Sequence, residues 1–293
     1  MKSIKIALTG PNGQLGSELC RYAPPDVELV PLARGKLDIT VAGQAESIIT
    51  GLRPDFIINT AAYVRVDDAE DEANTAFSVN AVGARNLAIC AEKTGAVLIH
   101  ISTDYVFDGG KKPVPYNEYD LPNPLNTYGI SKYAGEFYIK NLAPRHYILR
   151  VASLYGAAGA SGKGKKGNFV YTVLDKARRG EPMKIVDDIF MSPTYAADAA
   201  REIWKLVTAK ENEVKPFGVY HAANSGFCSW YEFAMSILKH GGLLPADISP
   251  VSHTGYKTRA RRPLWSALES SKGIKLRPWE EGLRDFIASI SSG

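Results

Sequence analysis

The segment Leu8-Thr9-Gly10-Pro11-Asn12-Gly13-Gln14-Leu15-Gly16 constrains this chain more than any other. An apolar run, Ser3–Thr9, leads into it and predicts a strand; Gly13–Tyr22 opens out of it and predicts a helix. Glycines at such a junction permit a tight turn and let backbone amides approach a pyrophosphate at the positive end of the helix. The spacing is GxxGxxG, not the simpler GxGxxG, and glycine-rich turns also join strands to helices for geometric reasons alone. The strand before and the helix after favour a dinucleotide, with Gly10, Asn12, Gly13, Gln14, Leu15 and Gly16 as its contacts.

The following stretch continues the pattern. Strands are predicted at Val27–Leu32, Phe56–Asn59, Ala96–Ile101 and Tyr147–Ala152, with helices at Val41–Gly51, Asn74–Lys93 and Ser131–Asn141. Several of these strands are unbroken apolar runs, which suits burial on both faces. The helix at Asn74–Lys93 offers Phe77, Val82, Leu87 and Ile89 as an apolar face, with Gly95 as its stop. Strand and helix in alternation imply right-handed crossovers, hence an α/β fold with a Rossmann-type doubly wound parallel sheet.

Past Val151 the rhythm changes. Ala157–Gly167 is a small, basic loop carrying Lys163, Lys165 and Lys166, long enough for a lid. Helices follow at Phe169–Arg179, Ala196–Thr208, Ser229–His240 and Trp279–Ile290, with strands at Lys184–Val186 and Gly218–Ala222. The 293 residues exceed a typical single domain. Residues 1–156, with about 184–222, are expected to form the dinucleotide-binding domain. A smaller C-terminal α/β lobe, about 157–183 and 223–293, is expected to take the substrate.

Composition excludes other classes. A net charge of +4 leaves no nucleic-acid footprint. Cys20, Cys90 and Cys228 are odd in number and far apart, which favours a reducing compartment. The N-terminal apolar stretch is broken by Lys5 and is not a signal peptide. No run reaches the roughly 20 apolar residues of a membrane span. A cytoplasmic protein is expected, without membrane or nucleic-acid partners. The five histidines show no ligand spacing, so no metal site is expected.

Two further positions bear on the cofactor. An acidic residue closing the second strand would bind the ribose of NAD. Here the strand ends Leu32-Ala33-Arg34, and Arg34 suits the 2′-phosphate of NADP. NADPH is therefore expected, with NADH as the alternative. Asp38 is placed to contact adenine.

The chemistry is carried by Tyr128-Gly-Ile-Ser-Lys132, in which phenol and ammonium share one helix face. A nearby cation would bring the phenol toward a useful acid–base range. Ser102-Thr103-Asp104 closes the fourth strand, at the carboxyl edge where open α/β sheets bind ligands. A hydroxyl there can hold a carbonyl beside the tyrosine. Arg259, Arg261 and Arg262 cluster before Pro263 and suit a diphosphate. Trp230 and Tyr231, at a helix start, are expected in the core.

With these residues the chain resembles the extended short-chain dehydrogenases/reductases, and among them the dTDP-4-dehydrorhamnose reductase family. The glycine segment, Leu37-Asp-Ile-Thr40, Asn59-Thr-Ala-Ala62, Val79-Asn80-Ala81, Ser102-Thr-Asp-Tyr-Val-Phe-Asp-Gly109, Tyr128–Glu136, Ser192-Pro-Thr194, Cys228-Ser-Trp-Tyr231 and Arg262-Pro263 carry the resemblance. It implies reduction of the 4-keto group of a nucleotide-linked 6-deoxysugar. Tyr128 would protonate the developing alkoxide, Lys132 would depress its pKa and hold the nicotinamide ribose, and Thr103 would polarise the carbonyl. Ile39, Ala61, Ala62, Tyr63 and Asn80 would serve the cofactor. Asp104, Tyr105, Leu154 and Arg262 would serve the substrate.

Two segments depart from the family pattern. Leu154 stands where a tryptophan is usual, and Asp187-Asp188-Ile-Phe-Met precedes Ser192-Pro-Thr194 in place of Asp-Gln-x-Gly-x. Glu18 matches a position used by magnesium-bridged dimers, but Asp198 replaces a second glutamate, which counts against magnesium. A homodimer is left open. Other readings are epimerase or dehydratase chemistry, another sugar nucleotide, or a non-catalytic role like that of the regulatory subunit of methionine adenosyltransferase.

Overall fold

A computed structural model describes residues 3–110, 113–158, 168–210 and 213–291. The first strands, β1 (Ile4–Thr9), β2 (Val27–Leu32), β3 (Phe56–Asn59), β4 (Val97–Thr103) and β5 (His146–Val151), lie within a residue or two of their expected places. They form one parallel sheet with Gly218–His221, in the order β2-β1-β3-β4-β5 and then Gly218–His221. The winding reverses at β1, so a crevice opens beyond the carboxyl ends of β1 and β3. β2 is an edge strand, which accommodates Pro31 without loss of a ladder hydrogen bond.

Successive residues of each central strand supply opposite faces. Ile6, Leu8, Ile58, Ile99 and Leu149 pack on one side with Leu15 and Leu19 of α1 (Gln14–Arg21) and with Ile203 and Trp204 of the helix Ala196–Thr208. Ala7, Ile57, Leu98 and Ile148 pack on the other with Ile49 of α2 (Ala42–Leu52), with Leu87 and Ala88, and with Ile139. Each central strand thereby buries apolar side chains on both faces of the sheet. A separate core, built around Tyr155, Phe233, Trp279 and Phe286, belongs to the later helices.

Three expectations need correction. The helix over Asn74–Lys93 is not continuous: Ala73–Phe77 runs into a π-helical turn, Ser78–Gly83, before Ala84–Thr94. The extra residue in that turn rotates the face, so Phe77 and Val82 point to solvent while Ala84, Leu87, Ala88 and Ala91 are buried. Met183–Val186 does not join the central sheet but pairs with Ile248–Val251. The helix expected from Ser131 begins at Thr127, because Asn126 caps it by accepting from the Gly129 amide at 2.8 Å. The proposed lid and its three lysines fall in 159–167, outside the described residues. Among the described residues no helix is long and apolar enough to cross a membrane.

Candidate active site

The glycine turn lies against the end of β3. Gly10 has φ +69°, and a Cβ there would sit 2.6 Å from the Ala61 nitrogen. At Gly16 a Cβ would lie 2.2 Å from the Gly10 oxygen. Any larger residue would push the turn away from the crevice. The Thr60 hydroxyl ties the two segments by donating to the carbonyls of Thr9, at 2.7 Å, and Gly10, at 3.0 Å.

The crevice is a cleft of about 750 Å³. Gly10, Asn12, Gly13, Gln14, Leu15, Gly16, Arg34, Asp38, Ile39, Ala61, Ala62 and Tyr63 all line it. So do Thr103, Asp104, Tyr105, Tyr128, Lys132 and Leu154 at its other end. Arg34 is exposed, and its Nε lies 3.2 Å from Asp38. The Asp38 carboxylate also accepts from the Thr40 amide and hydroxyl, contacts that hold its pKa below the usual range. Ser153, one residue from Leu154, has φ +41° and also lines the cleft, a strained non-glycine position at the site.

Asn80 does not line the cleft. Its side chain accepts from the Tyr63 amide at 2.8 Å and donates to the Tyr63 carbonyl and the Ser131 hydroxyl, both at 3.0 Å. It therefore joins the loop after β3 to the helix Thr127–Leu142, and its part in the site is to hold Tyr63 in place. Leu154 lies on this cleft, not on the second one described below, and its carbonyl accepts from Gln14 Nε2 at 3.1 Å.

Tyr128 and Lys132 stand on the first two turns of Thr127–Leu142. Gly129 lets this turn close on the next segment, since a Cβ would lie 2.2 Å from the Tyr105 carbonyl. The Tyr105 and Tyr128 rings meet edge to face, 5.8 Å apart. Burial, assisted by Asp104 and Tyr105, pushes the Tyr128 phenol above its ordinary range, against a hydrogen bond with Thr103. Lys132 is not among the groups that shift this phenol. The Lys132 ammonium instead donates to the Ile101 carbonyl at 2.6 Å, and burial lowers it to about 8 against the opposing pull of Glu136. The site thus holds a neutral phenol beside a hydroxyl, an arrangement suited to giving a proton.

A second cleft of about 970 Å³ opens beyond Tyr105. Arg262 lines it, together with Lys184, Lys257 and Arg261. The Arg262 guanidinium donates to Asp67 at 2.6 Å and to the Tyr105 hydroxyl at 3.3 Å. Arg259 does not join these cations, because Asp68 and Asp71 hold it. Tyr105 and Trp230 each line both clefts and so mark their junction. Trp230 packs against the core around Phe233, as expected, and what sequence reasoning missed is its place on the clefts. The signal that could have found it is the capping box Ser229-Trp-Tyr-Glu232, which fixes Trp230 as the first helical residue, at the helix end.

The glycine cradle and the cleft above it fit a nicotinamide dinucleotide. Asp198, the residue standing where a second glutamate was expected, is held by Arg201, Asn224 and Arg277 at 2.9–3.0 Å. A parallel sheet with a glycine turn at its switch point and a Tyr–Lys helix beside a strand-end hydroxyl defines a nicotinamide-dependent oxidoreductase of the short-chain type.

Comparison with known proteins narrows this class. The RmlD substrate binding domain family model matches residues 4–292. The chain is 36% identical to the dTDP-4-dehydrorhamnose reductase of Sinorhizobium fredii, over 98% of each chain. It is also 36% identical to the spore coat polysaccharide biosynthesis protein SpsK of Bacillus subtilis, again over 98% of each. The crystal structure of the Bacillus anthracis dTDP-4-dehydrorhamnose reductase in complex with NADP superposes with a TM-score of 0.89 at 38% identity, covering 99% of this chain and 100% of that one. The chain belongs to the dTDP-4-dehydrorhamnose reductase family.

Proposed function

We propose that this protein uses NADPH to reduce the 4-keto group of a nucleotide-linked 6-deoxysugar, converting dTDP-4-dehydro-L-rhamnose to dTDP-L-rhamnose. The observation that carries this reading is the position of Tyr128 and Thr103 in the glycine-turn cleft beside Tyr105, which also lines the cleft that carries the lysines and arginines. The first cleft takes the cofactor, along the glycine turn, Arg34, Asp38 and Ala61–Tyr63. The second takes the nucleotide diphosphate, with Arg261 and Arg262 suited to phosphate oxygens. The keto group then lies at the junction, between Tyr105 and Trp230.

Reduced nicotinamide supplies the hydride when bound. The chain's own residues supply position and a proton. Thr103 donates to the carbonyl oxygen as negative charge develops there. Tyr128, kept neutral by burial, passes its proton to that oxygen. Lys132 meets the nicotinamide ribose.

Purified protein is expected to oxidise NADPH only when a 4-keto-6-deoxy nucleotide sugar is added, with dTDP-L-rhamnose as product by mass and NMR. NADPH binding without turnover of any keto-sugar nucleotide would overturn the enzyme reading and favour a regulatory role. Arg34→Ala tests the cofactor. A lost charge-assisted contact to the 2′-phosphate is worth ~1.5–3 kcal/mol, so NADPH should bind roughly 10- to 100-fold more weakly. NADH affinity should be unchanged. Equal loss for both cofactors, or none, removes Arg34 from the 2′-phosphate site.

A further inference from the structure

Asp104 follows Thr103 directly at the carboxyl end of β4, is 2% exposed and lines the cofactor cleft. The reduction as described gives it no task. The Thr103 hydroxyl donates to Asp104 Oδ1 at 3.0 Å and accepts from the Tyr105 amide at 3.2 Å. Asp104 Oδ2 is buried and has no hydrogen-bond partner among the described residues.

A hydroxyl carries one hydrogen. While Asp104 is ionised, that hydrogen is drawn to its carboxylate and away from a substrate oxygen. When Asp104 is a carboxylic acid, the direction reverses. Its O–H then donates to Thr103 Oγ1, and the Thr103 hydrogen is released toward the cleft and the Tyr128 phenol that faces it. We propose that Asp104 is a positioning residue whose protonation aims the Thr103 hydroxyl at the substrate carbonyl, so that reduction proceeds from the acid form of Asp104. This rests on the reductase reading above. No net proton leaves Asp104: the alkoxide takes its proton from Tyr128, and the carboxyl only redirects a hydrogen bond.

The surroundings shift Asp104 toward the acid form relative to a carboxyl in water. Thr103 and Tyr105 face Asp104 from its own turn, Tyr128 from the helix Thr127–Leu142, and Ser266 from the strand-like segment after Pro263. All four are hydroxyl groups. The charges closest to the site are engaged elsewhere, Arg262 with Asp67 and Lys132 with the Ile101 carbonyl. Burial accordingly pushes the Asp104 carboxyl up to about 6, with hydrogen bonds from Ser266 and Thr103 only partly opposing it.

The sign of the pH dependence follows. The acid form is lost as pH rises, so wild-type kcat/KM for the keto-sugar nucleotide should fall above the Asp104 midpoint. Two pH units beyond it the loss should reach ~100-fold, a slope of one decade per unit for a single ionisation. Asp104→Asn cannot ionise and should lose that limb, its kcat/KM changing less than about twofold over the same range. Any limb set by Lys132, at about 8, should persist in both. An Asp104→Asn enzyme that keeps the wild-type limb overturns the proposal.

A second measurement needs no turnover. Carbon-13 titration of the NADP-loaded protein, with the Asp104 carboxyl assigned by its absence in Asp104→Asn, should give a midpoint of about 6. A midpoint in the ordinary carboxylate range of ~3.9 overturns the proposal even if the variant fails to fold. Absence of turnover with every keto-sugar nucleotide would instead sink the reductase reading, and the titration would still decide the state of Asp104.

Discussion

Tyr128→Phe is expected to lower kcat for keto-sugar reduction by about 10²–10⁴-fold, the span of general acid catalysis by a positioned side chain. The ring is retained, so its edge-to-face contact with Tyr105 survives and only the hydroxyl is lost. NADPH affinity should therefore stay near that of the wild type, because the glycine turn and Arg34 lie at the other end of the cleft. Stopped-flow single-turnover reduction separates the chemical step from product release. A variant that keeps wild-type single-turnover rates would remove Tyr128 as the proton donor. Wild-type activity should also persist well into alkaline pH as far as Tyr128 is concerned, since burial holds its phenol above the ordinary range.

Glu136→Gln should carry the largest loss of stability. Glu136 lies on the same helix as Tyr128 and Lys132 and is fully buried against Arg150 of β5, itself 2% exposed. The two form a bidentate pair, Arg150 Nε and Nη2 meeting the carboxylate at 2.9 and 2.8 Å, and the Ser102 hydroxyl donates to it at 2.5 Å. Removing one partner of such a pair leaves a buried charge unpaired, at a cost of about 3–5 kcal/mol. Each kcal/mol shifts the Tm of a chain this large by ~2–4 °C, so a drop of roughly 10 °C is expected.

The pH dependence of that difference has a definite sign. Arg150 and Ser102 hold the Glu136 carboxyl below its ordinary value despite burial. A lowered folded-state pKa contributes stability above the unfolded-state pKa and loses it as pH falls through the folded one. Melting curves of wild type and Glu136→Gln should therefore converge in acid and separate toward neutrality. Equal Tm values at neutral pH would show that the pair contributes nothing net.

Much of the fold was legible along the chain because its signals are local. Apolar runs at Ser3–Thr9, Phe56–Asn59 and Ala96–Ile101 read as strands buried on both faces, and the core packs the strands formed there so. The Tyr–Lys spacing held as well, since four residues return to one helix face wherever the helix begins. The misreadings arose where a distant contact decided the outcome. That Asn80 acts on the cleft through the Tyr63 backbone, and not by facing it, depends on partners 17 and 51 residues away, Tyr63 and Ser131. The π-helical turn at Ser78–Gly83 has no local signature here, and it turned Phe77 and Val82 outward. Arg259 looked like one of three phosphate ligands until Asp68 and Asp71, far back in the chain, claimed it.

The glycine turn, its flanking strand and helix, the Tyr128–Lys132 pair and the strand-end Thr103 were determined by sequence alone, because steric permission, periodicity and turn chemistry act between near neighbours. The order of the strands, the burial that keeps Tyr128 neutral and lifts Asp104, and the arrival of Trp230 and Arg262 beside them were decided by tertiary structure. Ionisation and cleft shape depend on what lies within a few ångströms in space, and at this site those neighbours come from both ends of the chain.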